Sequence, residues 1–354
     1  MSTDSVHPIL IVGQGLAGSL LGFHLLQAGC PIRMMDAGYA HTASQVAAGL
    51  INPITGRRFV KSWRIDELLP YAMETYRAME KFLGIELYHE RPILRSLHNR
   101  QDEDAWHYRL DDPAYQEYLL PMADAGNYRD RIQFPHSLGE VQGSAQTDLP
   151  GLVLGMRAYL KTQGWFQQEL FDYNALQPST DGAIYKGHYY RAVVFCEGYR
   201  GKDNPFFPEL PFGGNKGEVL RVHIDGPVFE KILKHQVFVV PMPQGDYWIG
   251  AQYAWNYTTE APTEAARIWL QERLDAFLLE PYQVLRQEAA LRPTVIDRRP
   301  LLGLHREWPS LGIFNGLGTK GASLGPFFAR QMSQLLLQGE LPDPEVSIYR
   351  FPVT

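Results

Sequence analysis

The chain has 354 residues, 39 acidic and 33 basic side chains, and a formal charge of −6. That length suits two domains better than one compact core, and the negative balance argues against a dedicated nucleic-acid binder, whose mark is a basic face. Only two cysteines, Cys30 and Cys196, and eleven histidines without HxH or HExxH spacing leave no disulfide framework or metal site to expect, and a reducing cytoplasm is the expected setting.

Ile9-Leu10-Ile11-Val12 predicts a buried strand, followed by the turn Gly13-Gln14-Gly15-Leu16-Ala17-Gly18, an apolar helix, and a second strand Ile32-Arg33-Met34-Met35-Asp36. This is the order and spacing of a dinucleotide-binding βαβ unit. Gly13 permits the tight turn, Gly15 lets backbone approach a pyrophosphate, and Gly18 lets the helix pack on the strands. Asp36 ends the second strand, where a carboxylate accepts hydrogen bonds from a ribose. Pro8 to Ile32 carries no Lys, Arg, Asp or Glu, but its glycines, Gln14, His24 and Gln27 break the apolar run. No basic segment precedes it, so neither a membrane span nor a signal peptide is expected.

Apolar spacing predicts an amphipathic helix over 65–83 and another from Leu149, ended by Gly164. The Tyr- and charge-rich stretch 86–139 holds short strand-like pieces such as Ile93–Leu97. Ala192–Cys196 reads as a strand covered on both faces, ending in Glu197-Gly198. Glu218 to His223 alternates as a half-exposed strand should. Val237–Pro241 and Tyr247–Gly250 flank Pro243-Gln244-Gly245-Asp246 as a hairpin, and Thr263 N-caps a helix reaching Leu279. A last strand, Leu311–Phe314, leads into a second glycine cluster, Gly316-Leu317-Gly318-Thr319-Lys320-Gly321, and a helix from about Pro326 to Gln338. Residues 321–325 also match GxSxG, which would make Ser323 a nucleophile. The elbow reading requires a later histidine, and none follows His305. Gly316 to Gly321 therefore reads as bare backbone and helix-terminal amides set against a flat or anionic ligand.

These pieces together resemble the FAD-dependent D-amino-acid oxidase and glycine oxidase family along nearly the whole chain. The resemblance rests on Gly13 to Gly18 with Asp36, Ser44-Gln45-Val46-Ala47-Ala48-Gly49, Val193 to Gly198, and Lys216-Gly217-Glu218. It continues through Phe238 to Pro241 before Ile249-Gly250-Ala251, then Leu291-Arg292-Pro293 with Asp297 and Pro300, and the Gly316 to Gly321 cluster. It implies an α/β fold with a discontinuous Rossmann-like FAD-binding domain (1–85, 140–215 and 288–354). The inserted substrate domain, an antiparallel sheet plus helices, would span 86–139 and 216–287. Cofactor contacts are expected at Gly13, Gly15, Leu16, Ala17, Gly18, Asp36, Ala37, Ser44, Ala48, Gly49, Glu197, Gly198, Gly316, Gly318, Thr319, Lys320 and Gly321.

The resemblance also implies that Arg292 clamps a substrate carboxylate, which a guanidinium fork does through two parallel hydrogen bonds; a surface or interdomain ion pair is the competing role. Lys320 is implied near flavin and substrate, and Arg57 and Arg58 are further positive charges after the flavin-side loop. Amino-acid oxidases place a tyrosine at Phe238 that donates to the substrate carboxylate. Phe238 has no hydroxyl, and Tyr253 is the residue that could replace it. No cysteine stands near Arg292 or the second cluster, so non-covalent FAD is expected. The activity implied is oxidation of a primary or secondary amine to an imine by hydride transfer to flavin N5. Two alternatives stand beside it. The chain also looks similar to the flavin domain of the tRNA-wobble-uridine modifying enzyme, with Arg57 to Arg64 as a basic segment for tRNA, and a non-catalytic FAD-binding protein would hold a flavin that no amine reduces.

Overall fold

The computed structural model describes residues 7–121, 123 and 125–352. A six-stranded sheet forms the first layer, in the order Phe166–Gln168, Ile32–Asp36, Ile9–Val12, Ala192–Phe195, Leu311–Asn315 and Leu301–Leu304. All neighbours are parallel except the last pair. The chain leaves Ile9–Val12 for one neighbour at once and reaches the other, Ala192–Phe195, only after the whole middle of the sequence. That reversal is a topological switch point, where open α/β sheets bind ligands at the carboxyl ends of their strands. The helices Leu16–Gln27 and Gly321–Gln338 pack side by side on this sheet. Leu20, Leu21, Phe328 and Met332 are fully buried there.

A second sheet has eight strands, in the order Tyr282–Val295, Phe212–Ile224, Tyr247–Ala254, Phe238–Pro241, Ile232–Lys234, Ile93–Leu97, Ser137–Val141 and Leu119–Leu120. Its one parallel pairing joins Ile232–Lys234 to Ile93–Leu97. Among the described residues no helix is long and apolar enough to cross a membrane.

Several predicted elements fall where expected. The helix Ile65–Leu83, the strands Ile9–Val12 and Ile32–Asp36, and the hairpin turning at Gly245 (φ +84°) are all present. Three expectations need correction. Glu218 to His223 belongs to a 13-residue strand flanked on both sides, and Glu218 and Arg221 are buried. The alternation there encodes paired internal charges, not an exposed face: Lys216 Nζ lies 2.8 Å from Glu218, and Arg221 Nε 3.2 Å from Glu288. Glu218 also accepts from the backbone N–H of Thr263 (2.6 Å) and its hydroxyl (2.8 Å). The buried carboxylate thus fixes the entry of the helix Glu264–Asp275, which Thr263 caps, and that helix stops short of Leu279.

The final helix starts at Gly321 rather than near Pro326. Proline inside a helix strips the carbonyl four residues earlier of its partner. Here the buried Tyr76 hydroxyl donates to that carbonyl, on Ala322, at 2.7 Å. The defect is satisfied from a neighbouring helix, so the helix runs through Pro326.

Candidate active site

A cleft of about 1260 Å³ runs between the two sheets. Its first end is built by the βαβ unit. Gly13 (φ +98°) turns the chain so tightly that a Cβ would sit 2.4 Å from the Cys196 carbonyl oxygen. Gly15, Leu16, Ala17, Asp36 and Ala37 line this end. Asp36 accepts the backbone N–H groups of Gln14 (2.7 Å) and Gly38 (2.8 Å) and lies 3.3 Å from Arg157. An ionised carboxylate has about four lone-pair sites, so it keeps acceptor capacity toward the cleft. Gly15, the residue preceding the first helix, gives no side-chain cap; the hydroxyl of Ser44 accepts the Leu16 N–H at 2.9 Å.

Ala48, Gly49, Glu197 and Gly198 also reach the cleft. Gly49 (φ +70°) lies against the Thr147 backbone, and Trp248 of the second sheet donates its indole N–H to Val46 (2.8 Å), which clamps the 44–49 loop between the layers. Glu197 accepts from Tyr173 (2.5 Å) and Asn204 (2.8 Å), and burial pushes its carboxyl up to about 7. Gly18 and Gly316 do not line the cleft. A Cβ on Gly18 would meet the Gly13 carbonyl at 2.0 Å, so Gly18 seats the helix against the turn. Gly316 (φ +75°) turns the chain beneath Val295.

At the other end Gly318, Thr319, Lys320 and Gly321 face the cleft with the start of the last helix. Lys320 is the residue preceding that helix and gives no side-chain cap, so its N-terminal amides favour negative charge. Lys320 Nζ donates to the Ser62 hydroxyl at 3.2 Å; burial, with Arg299 and Arg298 nearby, lowers its affinity for the proton. Ser323 sits in the first turn of this helix and donates to the Lys320 carbonyl at 3.1 Å, which is a helical contact and no nucleophile elbow.

Arg292 comes from the Tyr282–Val295 strand and enters the same cleft. Its guanidinium donates to Asn215 at 2.8 Å and lies 4.5 Å from the centroid of the Tyr253 ring. Among the described residues no carboxylate forms an ion pair with it, so an interdomain salt bridge is not its role. A Cβ on Gly217 would fall 2.1 Å from the Arg292 Nη2, so only glycine leaves room for the guanidinium where it lies. Gly217→Ala should therefore keep the fold, since the side-chain end can move, while weakening capture of an anion. Unchanged KM with an unchanged melting temperature would contradict that placement.

Arg57 reaches the rim of the cleft and Arg58 does not. Phe238 lies in the lining, as does Gly217 of the Lys216-Gly217-Glu218 segment, together with three residues to which the sequence assigned no site role: Trp248, Lys234 and Arg95.

A model of the FAD dependent oxidoreductase family, DAO, matches residues 8–335. The chain belongs to that family. It is 22% identical to the glycine oxidase of Bacillus subtilis (strain 168) over 372 residues, covering 96% of each chain. Among solved structures it is similar to glycine oxidase from Geobacillus kaustophilus (TM-score 0.79, 19% identity, 96% of each chain covered). It is also similar to iminodiacetate oxidase from Chelativorans sp. BNC1 (TM-score 0.78, 17% identity, 96% of this chain and 98% of that one). The protein is an FAD-dependent oxidoreductase, and its cleft fits the cofactor. It exceeds the usual volume for a drug-sized ligand, carries a ribose-type acceptor at one end, and has two helix N-termini along its length.

Proposed function

We propose that this family member oxidises a primary or secondary amine bearing a carboxylate, yielding an imine that water hydrolyses to a carbonyl compound and a smaller amine or ammonia. The observation that carries the reading is Arg292, a largely enclosed guanidinium without an ion-pair partner among the described residues, opening into the cleft shared with the Gly318 to Gly321 backbone. A desolvated, unpaired guanidinium is costly unless an anion arrives to pair with it. The named activities of the similar glycine and iminodiacetate oxidases point to the same substrate chemistry.

Bound FAD supplies the acceptor for the hydride leaving the substrate carbon. The chain's residues then have positioning roles. Arg292, held by Asn215 and set over the Tyr253 ring, fixes the carboxylate and so the carbon–hydrogen bond beside it. Phe238, Trp248 and Leu317 present apolar walls that keep water from the reacting carbon. The amine reacts in its neutral form, its proton having gone to solvent, and no side chain is assigned as base. Amides at the start of the last helix would hold the cofactor end that lies against them and favour negative charge there.

Non-covalent FAD binding is supported by the cysteines. Both are buried, and burial raises the pKa of each thiol, which disfavours a reactive thiolate. The same two free thiols support a cytoplasmic setting. A tRNA substrate gains little support from the basic segment, because Lys61 is paired with Asp66, and Arg64 with Glu67 and Asp343. Incubation with a panel of carboxylated amines should release a carbonyl compound that hydrazine traps. Absence of any trapped carbonyl across the panel, from flavin-loaded protein given an electron acceptor, would reject the reading.

A further inference from the structure

The middle of the second sheet carries two cations that the proposed oxidation does not use. Lys234 stands directly opposite Phe238 on one neighbouring strand and opposite Arg95 on the other. Directly paired residues share a face, and all three line the cleft. Lys234 Nζ lies 4.6 Å from the Phe238 ring centroid and donates to the Gln236 carbonyl at 2.7 Å. Arg95 donates one N–H to the Gly56 carbonyl at 2.9 Å and packs over Phe59, 4.6 Å from its centroid. Among the described residues neither forms an ion pair with a carboxylate. Arg57, at the exposed rim of the same cleft, adds a third positive charge.

Like charges directly opposite in a sheet destabilise it, and cations withdrawn from water need a partner. Burial and the neighbouring Arg95 hold the Lys234 ammonium down to about 7, and burial holds Arg95 down to about 10. The remaining titratable neighbours are His98 and His235, whose own proton affinities are lowered by burial, and Asp102, which acts on Arg95 only at a distance. The local structure thus sets a charged Arg95 and a Lys234 that protonates readily when an anion arrives on one ligand-facing wall, with no carboxylate paired to either among the described residues.

We propose that Lys234 and Arg95 form a second anion subsite, which binds a distal carboxylate on a substrate whose first carboxylate is held by Arg292. This rests on the amine-oxidation reading and narrows its substrate class to amines with two acidic groups. Arg292 leans over Gly217, and Lys234 leans over Phe238. The strands of Gly217 and Phe238 are separated by one other strand, Tyr247–Ala254. Phe238 pairs Gly250, which pairs Val219, two residues along from Gly217. Two strand spacings of roughly 10 Å and that offset of roughly 7 Å set the two positions roughly 12 Å apart, which suits carboxylates several carbon atoms apart rather than on adjacent carbons.

The test is a matched pair of probes, 2-aminohexanedioate and 2-aminohexanoate, as both enantiomers, titrated calorimetrically into the flavin-loaded protein. These differ only in the distal carboxylate. The diacid should bind at least about tenfold more tightly than the monoacid in at least one enantiomer. That ratio should collapse toward one in Lys234→Met and Arg95→Met and persist in Lys234→Arg. A general structural defect would weaken both probes and leave the ratio standing. Equal affinity for the two probes in the wild-type protein, or a preference surviving both methionine substitutions, overturns the subsite. The underlying reading fails by a different sign: bound flavin that no carboxylated amine reduces under anaerobic conditions, whatever the affinities.

Discussion

Arg292→Met should lower kcat/KM for a carboxylated amine by about a hundredfold to a thousandfold while FAD remains bound. Truncating one partner of a buried, hydrogen-bonded charge pair costs about 2–5 kcal/mol, and each 1.4 kcal/mol is about a factor of ten. The middle of that range applies rather than its lower end because the site is built around the fork. Asn215 holds one arm, the Tyr253 ring centroid lies 4.5 Å from the guanidinium carbon, and Gly217 leaves the space it fills. Methionine keeps much of the volume and removes every donor. Arg292→Lys should recover only part of the loss, because an ammonium supplies charge without the fork. FAD should be retained because the glycine turns and Asp36 at the opposite end are untouched. Steady-state kinetics beside the visible flavin spectrum decides the matter; unchanged kcat/KM would remove Arg292 from substrate binding.

Gly13→Ala should yield protein that purifies without flavin and unfolds at a distinctly lower temperature. At φ +98° a Cβ is strained before any contact is counted, and the new methyl group would lie 2.4 Å from the Cys196 carbonyl oxygen. The obstacle is backbone, not the movable end of a side chain. The turn is also tied at both sides: Gly13 donates to the Met35 carbonyl at 2.8 Å, and Cys196 to the Val12 carbonyl at 2.6 Å. Relief therefore requires shifting a neighbouring strand, and a loss of about 3 kcal/mol or more is expected. Flavin absorbance relative to protein absorbance, and a thermal melt, measure both effects. Full flavin content at an unchanged melting temperature would contradict the packing assigned to this turn.

The contrast between these substitutions shows what sequence can convey. Gly13 to Asp36 was legible because a βαβ unit is local: strand, turn, helix and acid follow one another at fixed spacing. Arg292 and Lys320 were found by resemblance, since nothing in their own surroundings marks a site. Lys234 and Arg95 gave no signal at all, because only the pairing of Ile232–Lys234 with Ile93–Leu97 brings them together across the intervening chain. The start of the last helix was missed for a related reason. Pro326 reads locally as a first-turn residue, and the hydroxyl that allows the helix to pass it belongs to Tyr76, far away in sequence. Glu218 and Arg221 misled by pattern: polar residues alternating with apolar ones read as a half-exposed strand until their partners Lys216 and Glu288 are seen. Each glycine cluster also mixes two roles, since Gly18 in one and Gly316 in the other shape the walls without lining the cleft.

The most direct test of one cleft joining cofactor to carboxylated amine is anaerobic titration of the purified, flavin-loaded protein. A carboxylated amine should bleach the yellow chromophore, and the matching carboxylic acid without the amino group should perturb the spectrum without bleaching it. A protein that refuses FAD, or a bound flavin that no amine in a broad panel bleaches, would contradict the account.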